Sequence, residues 1–512
     1  MHVFVTGATG FVGRALVQRL LGAGHRVGAW ARDPSRARNQ IGPQVELLPT
    51  GADDQALAER LSGVDAVVNL AGENVMGGRL TEARKHALWS SRVDLTRRLV
   101  KAMANAAPRP RVLLSASAVG YYGDRGDEAL TEDSEAGQGY LAELCQAWEQ
   151  AAWQARDVGA RVAVMRIGIV LGQDGGMLAS TLPIFRLGLG GPLGSGEQYV
   201  PFIHLDDLIE VLMRGLDDER VAGAFNATAP APVTSAGFAR ELGKALRRPA
   251  VLPAPSLALR LVLGERARIV LQSQNAVPMR LQQLGHVFDH PTLDVALASI
   301  FASRRAVELG PATAADDASP LPHSSDGWPR GATHVLETRT LLDVPPEEAF
   351  EFFCRAENLG LITPGWLGFA FEGEPPTDIG EGTVIRYRIR LGPFPLRWRT
   401  VIARWQPPHR FVDNQDAGPY RLWWHEHRIE PRPGGSVMVD RVYYALPLGW
   451  LGRLVHGLTV APTLRAIFAY RIEAIRRLFA AGEGRGSELP GEHRHVGDEG
   501  GEEQEPLAAT HA

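Results

Sequence analysis

Glycines at positions 7, 10 and 13 fall between a β-type run, Phe4 to Thr6, and a helix-like segment, Arg14 to Gly22. That spacing suits the holding of a pyrophosphate. Gly7 permits a tight turn, Gly10 lets backbone N–H groups approach phosphate oxygens, and Gly13 lets the helix pack on the strand. The phosphate-cradling set is therefore Thr6, Gly7, Ala8, Thr9, Gly10, Phe11, Val12 and Gly13. A second hydrophobic strand, expected over His25 to Ala31, ends in Arg32, followed by Asp33, Arg36 and Arg38. An acidic residue there would hold a ribose 2′-hydroxyl, whereas a planar, permanently charged guanidinium suits a 2′-phosphate. NADP(H) is therefore favoured, and Asp33 keeps NAD(H) open.

The elements that must position this turn are strands alternating with amphipathic helices through about residue 230. Val45 to Leu48, Ala66 to Leu70, Val112 to Ser115 and Val162 to Ile167 read as buried parallel strands, and Ser91 to Asn105 and Tyr140 to Ala155 as helices. This order predicts an α/β fold, a Rossmann-type doubly wound parallel sheet with its ligand crevice at the carboxyl ends of the strands. Residues 1–230 form that dinucleotide-binding domain, and 231–305 a small, mostly helical substrate lobe. Residues 306–332, rich in Ala, Pro, Ser, Asp and Gly, read as a linker. A second domain with strand patterning and a closing helix occupies 333–480, and the acidic, glycine-rich stretch 481–512 is expected to be disordered.

Composition narrows the class. At 512 residues the chain exceeds one ordinary core. The net charge is −4, but residues 481–512 hold eight acidic against two basic residues, which leaves the rest near +2. No basic stripe suited to nucleic acid results. Two distant cysteines, Cys145 and Cys354, without metal-type spacing point to a reducing, cytoplasmic setting. No apolar stretch reaches the ~20 residues of a spanning helix, and the first residues lack an export signal.

In this order the chain also carries Asn69-Leu-Ala-Gly72, Ser115-Ala-Ser-Ala-Val-Gly-Tyr-Tyr-Gly123, Arg166-Ile-Gly-Ile-Val-Leu-Gly172 and Phe202-Ile-His-Leu-Asp-Asp207. Added to these are Leu144-Cys-Gln-Ala-Trp-Glu149, Phe185-Arg-Leu-Gly-Leu-Gly-Gly-Pro192 and a later module with Pro278, Leu281, Leu284, Gly285 and Phe288. From residue 1 to about 303 it thus resembles extended short-chain dehydrogenases/reductases, in the branch of epimerase-like proteins named for nucleoside-diphosphate sugars. The resemblance implies that Asn69 and Gly72 lie under the adenosine or nicotinamide ribose; Leu70, Ala71 and Arg166 are counted with them as cofactor contacts, and Arg166 with the loop Gly172 to Gly176 is alternatively read as facing substrate. The resemblance further implies catalysis by a Ser, a Tyr and a Lys four residues beyond it: the Tyr moves a proton, the Ser polarises the substrate oxygen, and the Lys lowers the Tyr pKa. Ser117 and Tyr140 stand where the first two belong, but four residues on is Leu144. An unaided phenol with a pKa near 10 is ionised to about one part in a thousand at pH 7, so Tyr140 alone is a poor base. Tyr121 and Tyr122 are alternative proton donors. Trp148 and Glu149 sit beside the site as packing and support, and His204, Asp206 and Asp207 read as a turn and a helix cap.

Residues 333–480 are similar to the START/Bet v 1-like superfamily, which includes polyketide cyclase-like proteins, on His334-Val-Leu-Glu-Thr-Arg-Thr, Val344-Pro-Pro-Glu-Glu-Ala-Phe-Glu-Phe-Phe and Gly380-Glu-Gly-Thr-Val-Ile-Arg-Tyr. That implies a helix-grip α+β domain with an apolar cavity. Trp366, Trp398, Trp405, Trp423 and Trp424 make the segment aromatic, and in a strand Trp423, His425 and His427 face one way. Two imidazoles without a third ligand in view are not read as a metal site. The whole reads as an NADP(H)-dependent oxidoreductase or epimerase-like enzyme acting on a small molecule, fused to a domain for a hydrophobic ligand. The alternative is a non-catalytic dinucleotide sensor coupled to that domain. Helices Ser91 to Asn105 and Tyr140 to Ala155 are where a homodimer would form.

Overall fold

The computed structural model describes residues 1–172, 175–312, 331–391, 394–447 and 456–479. The expected tail, 481–512, and most of the expected linker, 313–330, lie outside the described residues.

The first unit is built from β1 (His2–Thr6), α1 (Phe11–Gly22), β2 (Arg26–Ala31), α2 (Pro34–Ile41), β3 (Glu46–Pro49), α3 (Asp54–Leu61), β4 (Ala66–Asn69), α4 (Glu82–Trp89), α5 (Leu95–Asn105), β5 (Val112–Ala118), α6 (Tyr140–Trp153), β6 (Arg161–Ile167), α7 (Leu205–Asp217) and β7 (Gly223–Ala227). Its seven strands pair in parallel in the order β7-β6-β5-β4-β1-β2-β3. The central strands are buried on both faces and largely apolar, and alternate residues feed two cores. Val3, Val5 and Val68 meet Leu16 and Leu20 of α1 and Leu208 and Leu212 of α7. Phe4 and Val67 meet Leu57 and Leu61 of α3 and Leu99 and Met103 of α5. The chain winds outward on either side of the β1/β4 junction, which opens the crevice at their carboxyl ends. Ser235–Leu246, Leu293–Arg305 and shorter helices between them make up the small lobe.

His204, at the N-terminus of α7, accepts the Asp206 N–H at 3.1 Å and stacks on His290 at 3.7 Å. Asp207 accepts the N–H groups of Asp289 and His290, both at 3.1 Å, so this trio closes a turn and caps a helix. Burial pushes the His204 pKa down to about 4. The unfolded chain takes up this proton near pH 6.5, the folded one only near pH 4. Stability is therefore full above about pH 6.5 and falls as pH drops towards 4. His204→Asn, which replaces the capping ring nitrogen by an amide oxygen and does not titrate, is expected to flatten the decline of the melting temperature across that window. A slope equal to that of the native chain would show that His204 contributes nothing to it.

The second unit is one antiparallel sheet of β8 (Glu308–Pro311), β9 (His334–Leu342), β10 (Ala370–Phe371), β11 (Val384–Leu391), β12 (Phe394–Gln406), β13 (Arg410–Ala417), β14 (Leu422–Arg432) and β15 (Gly435–Ala445), in the order β8-β9-β15-β14-β13-β12-β11-β10. It begins at Glu308, inside the stretch expected to be linker: Leu309 pairs with Leu336, and Val307 is buried in the second unit's core. A long helix, α8 (Ala461–Phe479), lies on the sheet through Leu464, Phe468, Ile472 and Ile475. No described helix is long and apolar enough to cross a membrane.

The two units share an interface at α1. An α/β surface helix ordinarily leaves a polar face in water, but here Arg14 and Gln18 are 5% and 1% exposed. Arg14 donates to Tyr470 Oη at 2.8 Å and to the carbonyl of Thr363, and Gln18 donates to the Leu361 carbonyl at 2.7 Å. Arg477 of α8 pairs with Asp206 at 2.9 Å. Backbone meets backbone at two glycines: a Cβ at Gly360 would overlap the Asn39 carbonyl oxygen, and one at Gly22 would strike that of Arg477.

Candidate functional site

The glycine turn links β1 to α1. Gly7 has φ +69°, and a Cβ there would lie 2.7 Å from the Leu70 carbonyl oxygen. At Gly13 a Cβ would overlap the Gly7 carbonyl oxygen, so strand and helix can close on one another only through glycine. Gly10 caps α1, and no side chain bonds across the cap, which leaves the positive end of the helix dipole facing the crevice. Thr9 and Gly10 are exposed, Phe11 and Val12 half-buried, and Ala8 buried. The Phe11 ring covers Gly172 and Gly175, where any side chain would collide with it.

Thr6 Oγ1 donates to Asn69 Oδ1 at 2.7 Å and accepts the Ala71 N–H at 3.1 Å. Asn69 Nδ2 donates to Thr96 and Ser115 at 2.8 and 3.1 Å. Asn69 is fully buried, so its side chain fixes β1, β4, β5 and α5 together while the backbone of Leu70, Ala71 and Gly72 runs past the turn. At the end of β2, Arg32 stands open with 84% of its side chain exposed and pairs with Glu73 at 3.0 Å. An exposed pair of this kind contributes about 0–1 kcal/mol, so a phosphate can displace Glu73 at little cost. Asp33 accepts the Arg36 N–H and caps α2.

Ser117, nearly buried at the end of β5, donates to Glu149 Oε1 at 2.8 Å. The same carboxylate takes a forked pair from Arg166 at 2.9 and 3.0 Å. Arg166 also donates to Tyr122 Oη at 3.0 Å and to the Glu132 carbonyl at 3.2 Å, and its guanidinium carbon lies 3.5 Å from the centre of the Tyr121 ring. Burial works against its charge, but its bonds to Glu149 and that carboxylate's charge more than offset this and raise its pKa. Arg166, expected at the cofactor, is here bonded within the fold, where a buried carboxylate takes its fork. Tyr122 is likewise withdrawn: it is fully buried, its hydroxyl lies between Asn226 Oδ1 and the Thr131 carbonyl at 2.7 and 2.9 Å, and burial pushes its pKa up to about 12. Tyr121 stays half-buried beside it, edge-on at 5.3 Å.

Tyr140 opens α6 and donates its hydroxyl to the Lys85 carbonyl at 2.7 Å. Burial raises its pKa, while the charges of Arg92 and Lys85 pull the other way. The position four residues on, Leu144, is buried. Cations therefore approach Tyr140 from the neighbouring helical segment instead. Lys85 Nζ lies 5.7 Å from the centre of its ring. Arg92 donates to the Glu73 carbonyl at 2.9 Å, stacks on Trp148 at 5.2 Å and fills the space where a Cβ on Gly72 would go. Arg92 escaped the sequence reading because one arginine in an amphipathic helix looks like any solvated one. Its place in a π-helical turn, Ser90–Asp94, of a kind frequent at functional sites, shows only in the backbone.

The description "NAD dependent epimerase/dehydratase family" matches residues 3–227, and a domain of unknown function, DUF1731, matches 254–300 across the small lobe. An Arabidopsis thaliana relative, "Epimerase family protein SDR39U1 homolog, chloroplastic", is 42% identical over 304 residues, covering 59% of this chain and 86% of the relative. The Mus musculus "Epimerase family protein SDR39U1" is 39% identical over 306 residues, covering 59% of this chain and 100% of the relative. A crystal structure of the human epimerase family protein SDR39U1 with NADPH is similar at 37% identity and a TM-score of 0.53, over 59% of this chain and 99% of that one. With this much of each relative matched, the chain belongs to the NAD dependent epimerase/dehydratase family.

Proposed function

We propose that the chain is an NADP(H)-dependent oxidoreductase of epimerase-like type, working in the reductive direction on a carbonyl of a small molecule. The observation that carries this is the uncapped turn Gly7 to Gly13 with an exposed Arg32 at the end of β2, in a chain that covers nearly all of a relative solved with NADPH. NADPH, when bound, supplies hydride. The first turn of α1 would hold the pyrophosphate and Arg32 the 2′-phosphate. Ser117, oriented by Glu149, would donate to the substrate oxygen once it leaves that carboxylate. Tyr140 has a raised pKa and keeps its proton at neutral pH, which suits an acid that protonates a forming alkoxide better than a base that must first lose a proton.

The second unit, an antiparallel sheet around α8 with a cavity between them, supports the reading of a START-like, helix-grip module for a hydrophobic ligand. One observation favours a second reading, a dinucleotide sensor without turnover: Leu144 stands in place of the lysine, and the Tyr140 hydroxyl is engaged by Lys85. Titration of the full chain with NADPH and NADH, followed by fluorescence, tests the cofactor. Arg32→Ala is expected to weaken NADPH by roughly 1.5–3 kcal/mol, about 10- to 150-fold in Kd, and to leave NADH unchanged. Equal affinity of the native chain for both nucleotides would refute the assignment to Arg32. Carbonyl reduction lost in Tyr140→Phe separates the enzyme from the sensor.

A further inference from the structure

The second unit holds a cavity of about 130 Å³ between α8 and the sheet. Its walls are apolar, with Phe352, Ile362, Ile402, Trp405, Phe411 and Trp423 among them, and its floor is polar: Asp413, His425, His427 and Arg471. The floor follows from strand geometry. His425 and His427, two apart on β14, share a face. Register sets Asp413 of β13 opposite His425, and Asp440 of β15 opposite His427. Two carboxylates thus flank two imidazoles, all of them buried or nearly so.

The hydrogen bonds give each side a different role. Asp440 is paired with Arg471, at 2.9 Å from Nε and 3.2 Å from Nη2, so it is an ionised acceptor. His425 Nε2 donates to its Oδ1 at 3.0 Å, while His427 Nδ1 lies 2.9 Å from the same oxygen and 3.4 Å from Arg471 Nη2. Of the opposite nitrogens, His425 Nδ1 turns a lone pair towards Asp413 Oδ2 at 3.4 Å, and His427 Nε2 is within hydrogen-bond distance of the same oxygen at 2.8 Å. Three ligand atoms from these residues lie within 4.8 Å of one another at the cavity floor. A lone pair and a carboxylate that converge out of water repel unless a cation lies among them. A proton on His427 Nε2 bridges that ring to Asp413 but leaves the His425 lone pair facing the carboxylate, whereas a metal ion engages all three ligand atoms.

We propose that Asp413, His425 and His427 bind a divalent first-row transition metal ion, with Asp440 and Arg471 holding the two imidazoles in their tautomers from behind. A carboxylate that takes the far N–H of a ligating histidine is the usual partner of such sites. Two imidazoles and one carboxylate suit zinc, iron(II) or cobalt(II) better than magnesium or calcium, which prefer oxygen alone. The three protein ligands leave a coordination position towards the apolar cavity, where a small molecule with a carbonyl or hydroxyl oxygen can enter.

The test is metal analysis of the purified full chain, followed by removal with a chelator and titration with Co²⁺ read by its visible absorption. About one equivalent per chain and a saturable Co²⁺ spectrum are expected. His425→Gln should weaken Co²⁺ binding by at least about 100-fold and Asp440→Asn by roughly 10- to 100-fold, with unchanged circular dichroism. Failure of the native chain to take up Zn²⁺, Co²⁺ or anaerobic Fe²⁺ stoichiometrically overturns the proposal. So does retention of Co²⁺ by a folded Asp413→Asn/His425→Gln double variant.

Discussion

Glu149→Ala is expected to lower the stability of the first unit by roughly 3–5 kcal/mol, because it strands a buried guanidinium. Arg166 and Glu149 have side chains only 5% exposed, and the fork between them ties β6 to α6. Once the carboxylate is gone, Arg166 keeps the Tyr122 hydroxyl and the Glu132 carbonyl, neither of which carries charge. Ser117 loses its acceptor at the same time. In a unit of this size the loss corresponds to a fall of roughly 6–20 °C in its melting temperature by calorimetry. The paired variant Glu149→Met/Arg166→Met should lose less than Glu149→Ala, since it removes both charges and keeps the volume. A double variant as unstable as the single one would mean that packing, not the stranded charge, sets the cost.

Gly360→Val should separate the two units while leaving each intact. The new Cβ falls on the Asn39 carbonyl, which belongs to α2 and cannot swing aside as a side chain would. Overpacking of this kind costs roughly 1–3 kcal/mol where a neighbour can yield, and more where it is backbone. The bonds of Arg14 and Gln18 to the 360–363 turn and to Tyr470 depend on the same close approach. The expected result is a larger radius of gyration by small-angle scattering and two calorimetric transitions in place of a coupled one, with unchanged circular dichroism. An unchanged radius would show that the interface tolerates the side chain and is looser than its glycines imply.

The sequence showed the first sheet, its crevice and the turn because their constraints are local. Gly7, Gly10 and Gly13 answer to one strand and one helix, and buried parallel strands read as uninterrupted apolar runs. The pairing of Arg166 was not legible, because it depends on Glu149, a residue on α6, and nothing in either segment declares the pair. Arg14 and Gln18 look like the solvated face of α1 until the second unit is laid over them. Strand β8 was hidden because four residues beside a Pro- and Ala-rich stretch carry too little alternation to stand out. The same limit hid the third ligand at the cavity floor: His425 and His427 announce themselves by spacing, but Asp413 joins them only through the register of β13 on β14.

The cover over α1 bears on any attempt to cut the chain into pieces. Leu21 packs into the cores of both units, while Arg14 Nη2 and Gln18 Nε2 donate to the far side. Excision after the small lobe would uncover an apolar seam edged with groups built to be bonded, and such a seam is adhesive. The severed half would therefore tend to self-associate, and its solution behaviour would report on the wound more than on the native dinucleotide fold.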